Sequence, residues 1–177
     1  MNGQICSYSR RWALIAAVAV LAAGCAGTGN AGAETMTDGL LSGIPWSHAH
    51  PILVNFTAGL VPASFVSDVL GKAVKGDSFT SAGWWTILYA ALLSPATALT
   101  GWYWKASLPL EVLPADLIYT HMYLGVVVAV VLAGLALWRG IIFSRDKRPG
   151  IGYLVAAGTA VGLLVYQGNL GGKMVFG

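Results

Sequence analysis

The stretch LIYTHMYLGVVVAVVLAGLALW, Leu117–Trp138, contains no Lys, Arg, Asp or Glu. A transmembrane helix needs about 20 mostly apolar residues to cross a hydrocarbon core roughly 30 Å thick, and this stretch has that length. Comparable apolar stretches cover residues 52–70, 82–104 and 151–170. Because a helix satisfies its own backbone hydrogen bonds in lipid, the sequence predicts an all-α fold, an integral membrane four-helix bundle.

The composition supports a membrane protein. Hydrophobic residues make up 56% of the chain and charged residues only 10%, whereas a soluble domain has about 25% charged residues. A soluble fold is therefore disfavoured, and we expect the helices to contact the lipid bilayer.

The basic residues indicate how the helices are oriented. If the first helix enters the membrane from outside, eight of the ten basic residues lie on the cytoplasmic side, namely Arg10, Arg11, Lys72, Lys75, Arg139, Arg145, Lys147 and Arg148. This distribution follows the positive-inside rule. It predicts a multi-pass protein of the bacterial inner (cytoplasmic) membrane whose mature N- and C-termini are periplasmic. Because topology explains the basic pI of about 9.0, no nucleic-acid partner is expected.

The N-terminal segment has the features of a lipoprotein signal peptide. Arg10 and Arg11 precede a short apolar run that ends in Ala22-Ala-Gly-Cys25, as in signal peptides with a small-residue cleavage site. This ending resembles the lipobox, in which the cysteine receives a diacylglycerol. We therefore expect lipidation at Cys25. An uncleaved signal anchor is the alternative, because Ala22 stands where Leu is usual.

These features predict three segments. Residues 1–24 form the signal peptide. Residues 25–47 are rich in Gly, Ala, Thr and Ser, a composition that buries too little apolar surface to order itself, so we expect a flexible periplasmic tether. Residues 48–177 form the four-helix transmembrane domain.

The three histidines map to the predicted periplasmic end of the bundle. His48 and His50 precede the first apolar stretch, and His121 lies near the start of the third. Neutral imidazole binds transition metals and haem iron, so two histidines at one depth on separate helices could hold a b-type haem or a metal ion. Asn55 lies at the same level, and Gly125, one turn after His121, would leave room for a porphyrin edge.

The candidate ligands for such a cofactor are therefore His50 and His121, with Asn55 and Gly125 beside them. The alternative interpretation is that both histidines only cap helices or donate structural hydrogen bonds. His50 precedes Pro51, which is favoured at the first position of a helix, so it could simply end the tether.

Asp68 is the acidic residue placed within an apolar stretch, about one turn from the cytoplasmic end of the first helix. An ionised carboxylate at that depth is costly unless it is paired. We expect Asp68 to be a structural partner of Arg139, Tyr153 or Lys72. A proton relay or an ion pathway is the alternative.

Two motifs resemble a known family. The segment His50-Pro-Ile-Leu-Val-Asn-Phe-Thr-Ala-Gly-Leu60 resembles the His-Pro-x-x-Val-His-Phe-Pro-x-Gly-Leu opening of the family called domain of unknown function 2231. The segment Leu170-Gly-Gly-Lys-Met-Val-Phe176 resembles its closing Leu-Gly-Gly-x-Leu-Val-Tyr. The resemblance implies a four-helix membrane domain. Because some members occur beside cytochrome c or Rieske-type domains, it also makes a redox role conceivable.

The chain departs from the family pattern where a cofactor would be held. Asn55 replaces the second histidine of the opening motif, and Thr57 replaces its proline. The sequence ends at Gly177, where the family pattern continues into His-Gly. Two of the four candidate ligand positions therefore match. If the family binds haem or metal through the other pair, the resemblance implies that this chain has lost that binding.

Two functions remain open on the sequence. It favours a non-catalytic accessory or scaffold subunit of a larger membrane complex, such as a bioenergetic one, packed against a membrane-protein partner or a second copy. The alternative is a small electron-transfer protein that holds b-type haem or another tetrapyrrole through His50 and His121. No nucleophile, base and orienting acid share one depth, so enzymatic activity is not expected.

Overall fold

The computed structural model of the chain describes residues 46–106 and 113–176. The expected signal peptide over residues 1–24 and the expected lipidation site Cys25 lie outside the described residues. Most of the expected tether over residues 25–47 also lies outside them. The first described helix begins at Trp46, two residues inside that segment.

Four α-helices account for nearly all of the described residues. They are α1 (Trp46–Ala73), α2 (Asp77–Ala106), α3 (Ala115–Ser144) and α4 (Ile151–Phe176). Each helix packs against the next, with the most extensive contact between α1 and α2, and α4 closes the bundle against α1. The prediction of an all-α four-helix fold is confirmed.

Three of the helices contain segments long and apolar enough to cross a membrane: Ala49–Ala73 in α1, Ala115–Ser144 in α3 and Ile151–Val175 in α4. The expectation of four such spans is therefore met for three. The helix α2 is not among them, because its Trp, Tyr, Ser and Thr residues lower its mean hydropathy. Its 30 residues nevertheless extend about 45 Å at 1.5 Å per residue, which exceeds the hydrocarbon thickness.

Prolines lie inside α1 and α2 without ending either helix. Pro95 has no backbone N–H to donate to the carbonyl of Ala91 four residues earlier. The hydroxyl of Ser94, which is buried, donates to that carbonyl at 3.1 Å. The side chain thus supplies the hydrogen bond that the proline removes, as is common for prolines in membrane helices.

The middle of the bundle is apolar, and its two ends are polar. Val61, Ile87, Leu132 and Ala157, one from each helix, are 0–5% exposed and belong to one core cluster. The first polar group, at the end that we call the histidine end, surrounds His50 and His121. The second, at the arginine end, surrounds Asp68 and Arg139. These two residues lie near the C-terminal ends of α1 and α3, whereas the histidines lie near the N-terminal ends of the same helices.

The outside of the bundle is covered by large apolar side chains. Phe56, Leu99, Val130 and Val155, again one from each helix, are 52–67% exposed. Soluble proteins rarely expose an apolar surface on every side. In a bilayer the same side chains face lipid tails, so this surface agrees with a membrane-embedded bundle.

Candidate functional site

At the histidine end the four helices surround a cavity of about 90 Å³. From α1 the cavity is lined by His50, Val54, Thr57 and Ala58. These positions follow the i, i+4, i+7, i+8 spacing of one helix face, so the face of α1 that begins at His50 points into the bundle. The polar groups that line the cavity are imidazole, hydroxyl and amide groups, with no carboxylate among the described lining residues.

The ring of His50 is held by α2. Its Nδ1 lies 2.9 Å from the backbone carbonyl oxygen of Thr97, and the Thr100 hydroxyl lies 3.4 Å from the same nitrogen. A carbonyl oxygen only accepts, so the proton of the neutral ring is on Nδ1 and donates to Thr97. The other ring nitrogen, Nε2, then carries a free lone pair.

The ring of His121 is held in the same way by α4. Its Nδ1 lies 3.2 Å from the backbone carbonyl oxygen of Gln167, so Nδ1–H is again the donor. A Cβ at Gly171 would lie 3.3 Å from the His121 ring, so the glycine lets α4 approach it closely. Nε2 of His121 is therefore the nitrogen that can accept.

The structure brings these two imidazoles together. Their ring centroids lie 6.4 Å apart with an interplanar angle of 83°, and the Trp104 ring lies 5.7 Å from that of His50. Neither Nε2 has a hydrogen-bond partner among the described residues. Metal-ligating histidines usually donate the N–H of the other nitrogen to a backbone carbonyl or a carboxylate, as both rings do here.

Glycines make room for these side chains. A Cβ at Gly101 would lie 2.7 Å from Cε1 of His50, so any larger residue there would displace the imidazole. Gly125 also lines the cavity, as expected. However, a Cβ at Gly125 would lie 2.8 Å from Nε2 of Gln167, so the side-chain amide of Gln167 fills the space that we expected to be open to a porphyrin edge.

A haem does not fit this cavity as the helices are packed. Sites for organic ligands of drug size and above occupy roughly 300 Å³ or more, against about 90 Å³ here. The cavity can hold an ion and one or two waters, since a water occupies about 30 Å³ in the liquid. The pair of histidines thus suits a metal ion better than a tetrapyrrole.

Asn55 is not part of this cavity. It follows His50 by five residues, which turns its side chain about 140° away around the helix. Accordingly it is exposed, whereas Val54 and Thr57 on either side line the cavity. His48 lies within α1, but its side chain is outside the part of the chain that the structure describes.

The arginine end contains a fully buried ion pair. Arg139 Nη2 donates to Asp68 Oδ1 at 2.9 Å, and Arg139 Nε donates to Asp68 Oδ2 at 3.0 Å. The same Nη2 donates to the backbone carbonyl of Thr80 at 2.7 Å. Both side chains are 0% exposed. Of the three expected partners of Asp68, Arg139 is the one that pairs with it, whereas Lys72 is exposed.

Two further buried groups lie beside this pair. The Ser64 hydroxyl donates to the carbonyl of Gly83 at 2.8 Å. The Tyr153 hydroxyl is close enough to Asp68 and Ser64 to interact electrostatically, but neither it nor Arg139 Nη1 makes a hydrogen bond of good geometry with a described residue. Tyr153 is therefore a neighbour of the pair rather than the partner of Asp68.

The backbone anchors of the histidines are the part of the site that the sequence did not reveal. On α2, Ser94, Thr97, Ala98 and Gly101 recur at i, i+3, i+4 and i+7 and all line the cavity. Such a stripe of small residues is typical of closely packed membrane helices. From this stripe the sequence could have predicted that Thr97 faces α1. No comparable signal marks the carbonyl of Gln167.

One comparison with known proteins gives a match. A family model described as "Predicted membrane protein (DUF2231)" matches residues 47–177. No curated protein matches the chain, and no solved structure does.

Proposed function

Because this chain belongs to the DUF2231 family of predicted membrane proteins, we propose that it acts within a membrane, where it holds one transition-metal centre between His50 and His121. In this role it carries an electron or the metal itself and has no catalytic machinery of its own.

The observation that carries the proposal is that both imidazoles make the same kind of hydrogen bond through Nδ1. Each Nδ1–H donates to a backbone carbonyl of a neighbouring helix, Thr97 for His50 and Gln167 for His121. Each Nε2 is left with a lone pair, and both rings line the same cavity. One such bond would suffice for a single structural histidine. Here two rings 6.4 Å apart are anchored in the same way, as the histidine ligands of a metal usually are.

We further propose that the histidine end faces the periplasm. The arginine end carries Lys72 in the last turn of α1, and its connections carry Lys75, Arg145, Lys147 and Arg148. Cytoplasmic loops carry an excess of Lys and Arg, so this end belongs in the cytoplasm. A multi-pass inner-membrane protein with periplasmic termini and a lipid at Cys25 would then hold its metal centre at the outer surface.

Metal analysis of the purified chain tests the proposal. The full chain is extracted from bacterial membranes in mild detergent, and its metal content and absorption spectrum are measured beside those of His50→Ala, His121→Ala and Asn55→Ala. We expect about one metal ion per chain, lost in both histidine variants. The Asn55→Ala variant should retain it, because Asn55 lies on the same helix but outside the cavity.

Equal metal content in all four proteins, or none in any of them, would contradict the proposal. Gel filtration of each variant distinguishes a lost ligand from a lost fold. A histidine variant that elutes as the parent does but contains no metal supports direct ligation.

A second candidate is the accessory or scaffold subunit that the sequence favoured. It is supported by the arginine end, where the buried charges of Asp68 and Arg139 pair with each other, as in a structural contact between helices. Isolation of the chain from native membranes tests this role. A stoichiometric membrane-protein partner that remains bound to the His50→Ala variant would favour the scaffold, whereas release of the chain alone would argue against it.

A further inference from the structure

The spacing of the two imidazoles restricts how they could share one ion. A metal–imidazole bond is about 2.0–2.1 Å long and the ligating nitrogen lies about 1.2 Å from its ring centroid, so opposed rings have centroids about 6.4 Å apart. Two corners of a tetrahedron would bring the centroids to about 5.2 Å. The rings of His50 and His121 are 6.4 Å apart. A single ion between the rings is therefore within reach when both Nε2 atoms turn toward it.

Opposed imidazoles also occur as axial ligands of haem, but the cavity of about 90 Å³ is too small for a porphyrin. The geometry therefore points to a bare ion.

The donors available at the cavity select among ions. No cluster of three or more His, Cys, Asp or Glu side chains occurs within residues 46–106 and 113–176. Zn²⁺ in proteins is almost always bound by four ligands, or by three and a water, and Cu²⁺ prefers four nitrogen or oxygen donors. Two imidazoles are too few for either. Cu⁺, by contrast, is stable with two or three ligands.

A soft donor adjoins the pair. Met122 follows His121 in the chain and lines the cavity, and it is the only sulfur-containing side chain among the described lining residues. Thioether sulfur selects Cu⁺ over harder ions. Such a side chain offers a third ligand to an ion that the two imidazoles hold.

Charge favours the same ion. The described lining residues include no carboxylate, so the site would have to bury the full charge of the ion. Because the Born cost of burying an ion grows with the square of its charge, a monovalent ion costs about a quarter of what a divalent one costs. In a membrane-embedded site without counter-charge, a +1 ion is therefore strongly preferred.

From these observations we infer that His50 and His121 bind a single Cu⁺ ion, with the Met122 sulfur as a third donor. This inference rests on the proposed function of the same pair and adds the identity of the ion. It makes Gln167 and Thr97 positioning residues, because their carbonyls fix the two rings without contacting the ion.

The test compares metals on the intact chain in detergent. Separate samples are incubated without oxygen with Cu⁺, Zn²⁺ or haem, passed over a desalting column and analysed for bound ligand. Cu⁺ affinity is measured by competition with a chromogenic Cu⁺ chelator, and X-ray absorption at the copper edge counts nitrogen and sulfur neighbours. We expect one Cu⁺ per chain, two short nitrogen contacts, one sulfur contact, and no retained Zn²⁺ or haem.

Variants separate ligands from neighbours. His50→Ala and His121→Ala should each weaken Cu⁺ binding by more than the roughly 10–100-fold that loss of an outer-shell partner costs. His121→Met should keep much of the affinity for Cu⁺, because it replaces one soft-ion ligand with another. Met122→Leu should remove the sulfur contact, and Met174→Leu, outside the cavity lining, should not.

The possible results separate the identity of the ion from the existence of a metal centre at His50 and His121. Binding of haem or Zn²⁺ through both histidines, with no retention of Cu⁺, would overturn the copper assignment and leave the proposed metal-centre function intact. Failure of every tested metal and of haem to bind in a histidine-dependent way would overturn both. Copper with two nitrogen neighbours that vanish in the folded His50→Ala variant would support both.

Discussion

Replacing Arg139 with methionine should destabilise the bundle strongly, because it removes the only described partner of a buried carboxylate. In the intact protein Arg139 makes three contacts of 2.9–3.2 Å with the Asp68 oxygens and one of 2.7 Å with the carbonyl of Thr80. Both side chains are 0% exposed. Breaking such a pair from one side costs about 3–5 kcal/mol, since the remaining charge stays buried without compensation.

The chain offers a matched control for this change. Arg148 Nη2 and Asp77 Oδ1 are also 2.9 Å apart, but their side chains are 37% and 94% exposed. An exposed ion pair contributes about 0–1 kcal/mol. The substitution Arg148→Met should therefore reduce the free energy of unfolding far less than Arg139→Met, although the two ion pairs have the same length.

A double variant tests whether the cost comes from the unpaired charge or from lost packing. Removing both charges together, as Asp68→Leu with Arg139→Met, leaves no buried ion. Replacement of a buried pair by apolar residues is often neutral or stabilising by about 1–4 kcal/mol. We expect the double variant to recover most of the stability that the single variant loses.

The assay is reversible unfolding in mixed micelles, in which the proportion of SDS is raised and helix content is followed by circular dichroism. Midpoints and slopes give the free energy of unfolding of each variant under identical conditions. An Arg139→Met variant no less stable than Arg148→Met would refute the reasoning. So would a double variant as unstable as the single one, because the loss would then reflect packing.

Two further substitutions have matched controls in the same assay. A Cβ at Gly83 would collide with the Asp68 carboxylate, so Gly83→Ala should lower the free energy of unfolding by about 1–3 kcal/mol. A Cβ at Gly134 meets nothing within 4 Å, so Gly134→Ala should be close to neutral. Equal effects of the two substitutions would contradict the close contact between Gly83 and Asp68. Ser94→Ala should cost about 1–3 kcal/mol by leaving a buried carbonyl without its donor. Ser144→Ala removes a bond of similar length at an exposed position and should cost much less, so a comparable loss there would contradict the role given to the buried hydroxyl.

The helices of this protein could be predicted because lipid imposes a length and a polarity on each segment. The stretch Leu117–Trp138 exceeds that length without a charge, and it lies within α3 as expected. The stretch 82–104 carries enough aromatic and hydroxyl residues to fall outside the apolar spans that the structure contains. It is held beside α1 by close packing of small residues, which mean hydropathy does not measure.

The partner of Asp68 could be narrowed but not chosen from the sequence. A charge inside an apolar stretch must find an opposite charge, and depth left Arg139 and Lys72 as the basic candidates. Only the rotation of the helices decides between them. Arg139 points into the bundle and is 0% exposed, whereas Lys72 lies on the outside.

The rotation of each helix about its axis also decides which of the candidate ligands point into the cavity. Sequence position gives the depth of a residue in the membrane, so His50 and His121 could be placed at one level. It does not give the direction of a side chain until the inner face of the helix is known. Asn55 shares that level but lies on the exposed face of α1. The carbonyls that anchor the two imidazoles depend on contacts between helices and could not be predicted.

The most direct measurement is nitrogen NMR of the chain with ¹⁵N-labelled histidine, recorded before and after addition of Cu⁺. The chain has only three histidines, so their ring signals can be assigned with single variants. We expect His50 and His121 to be protonated at Nδ1 and unprotonated at Nε2, and both Nε2 signals to shift when one equivalent of Cu⁺ is added. Two Nε2 signals that do not respond, or rings protonated at Nε2 instead, would contradict a shared metal centre.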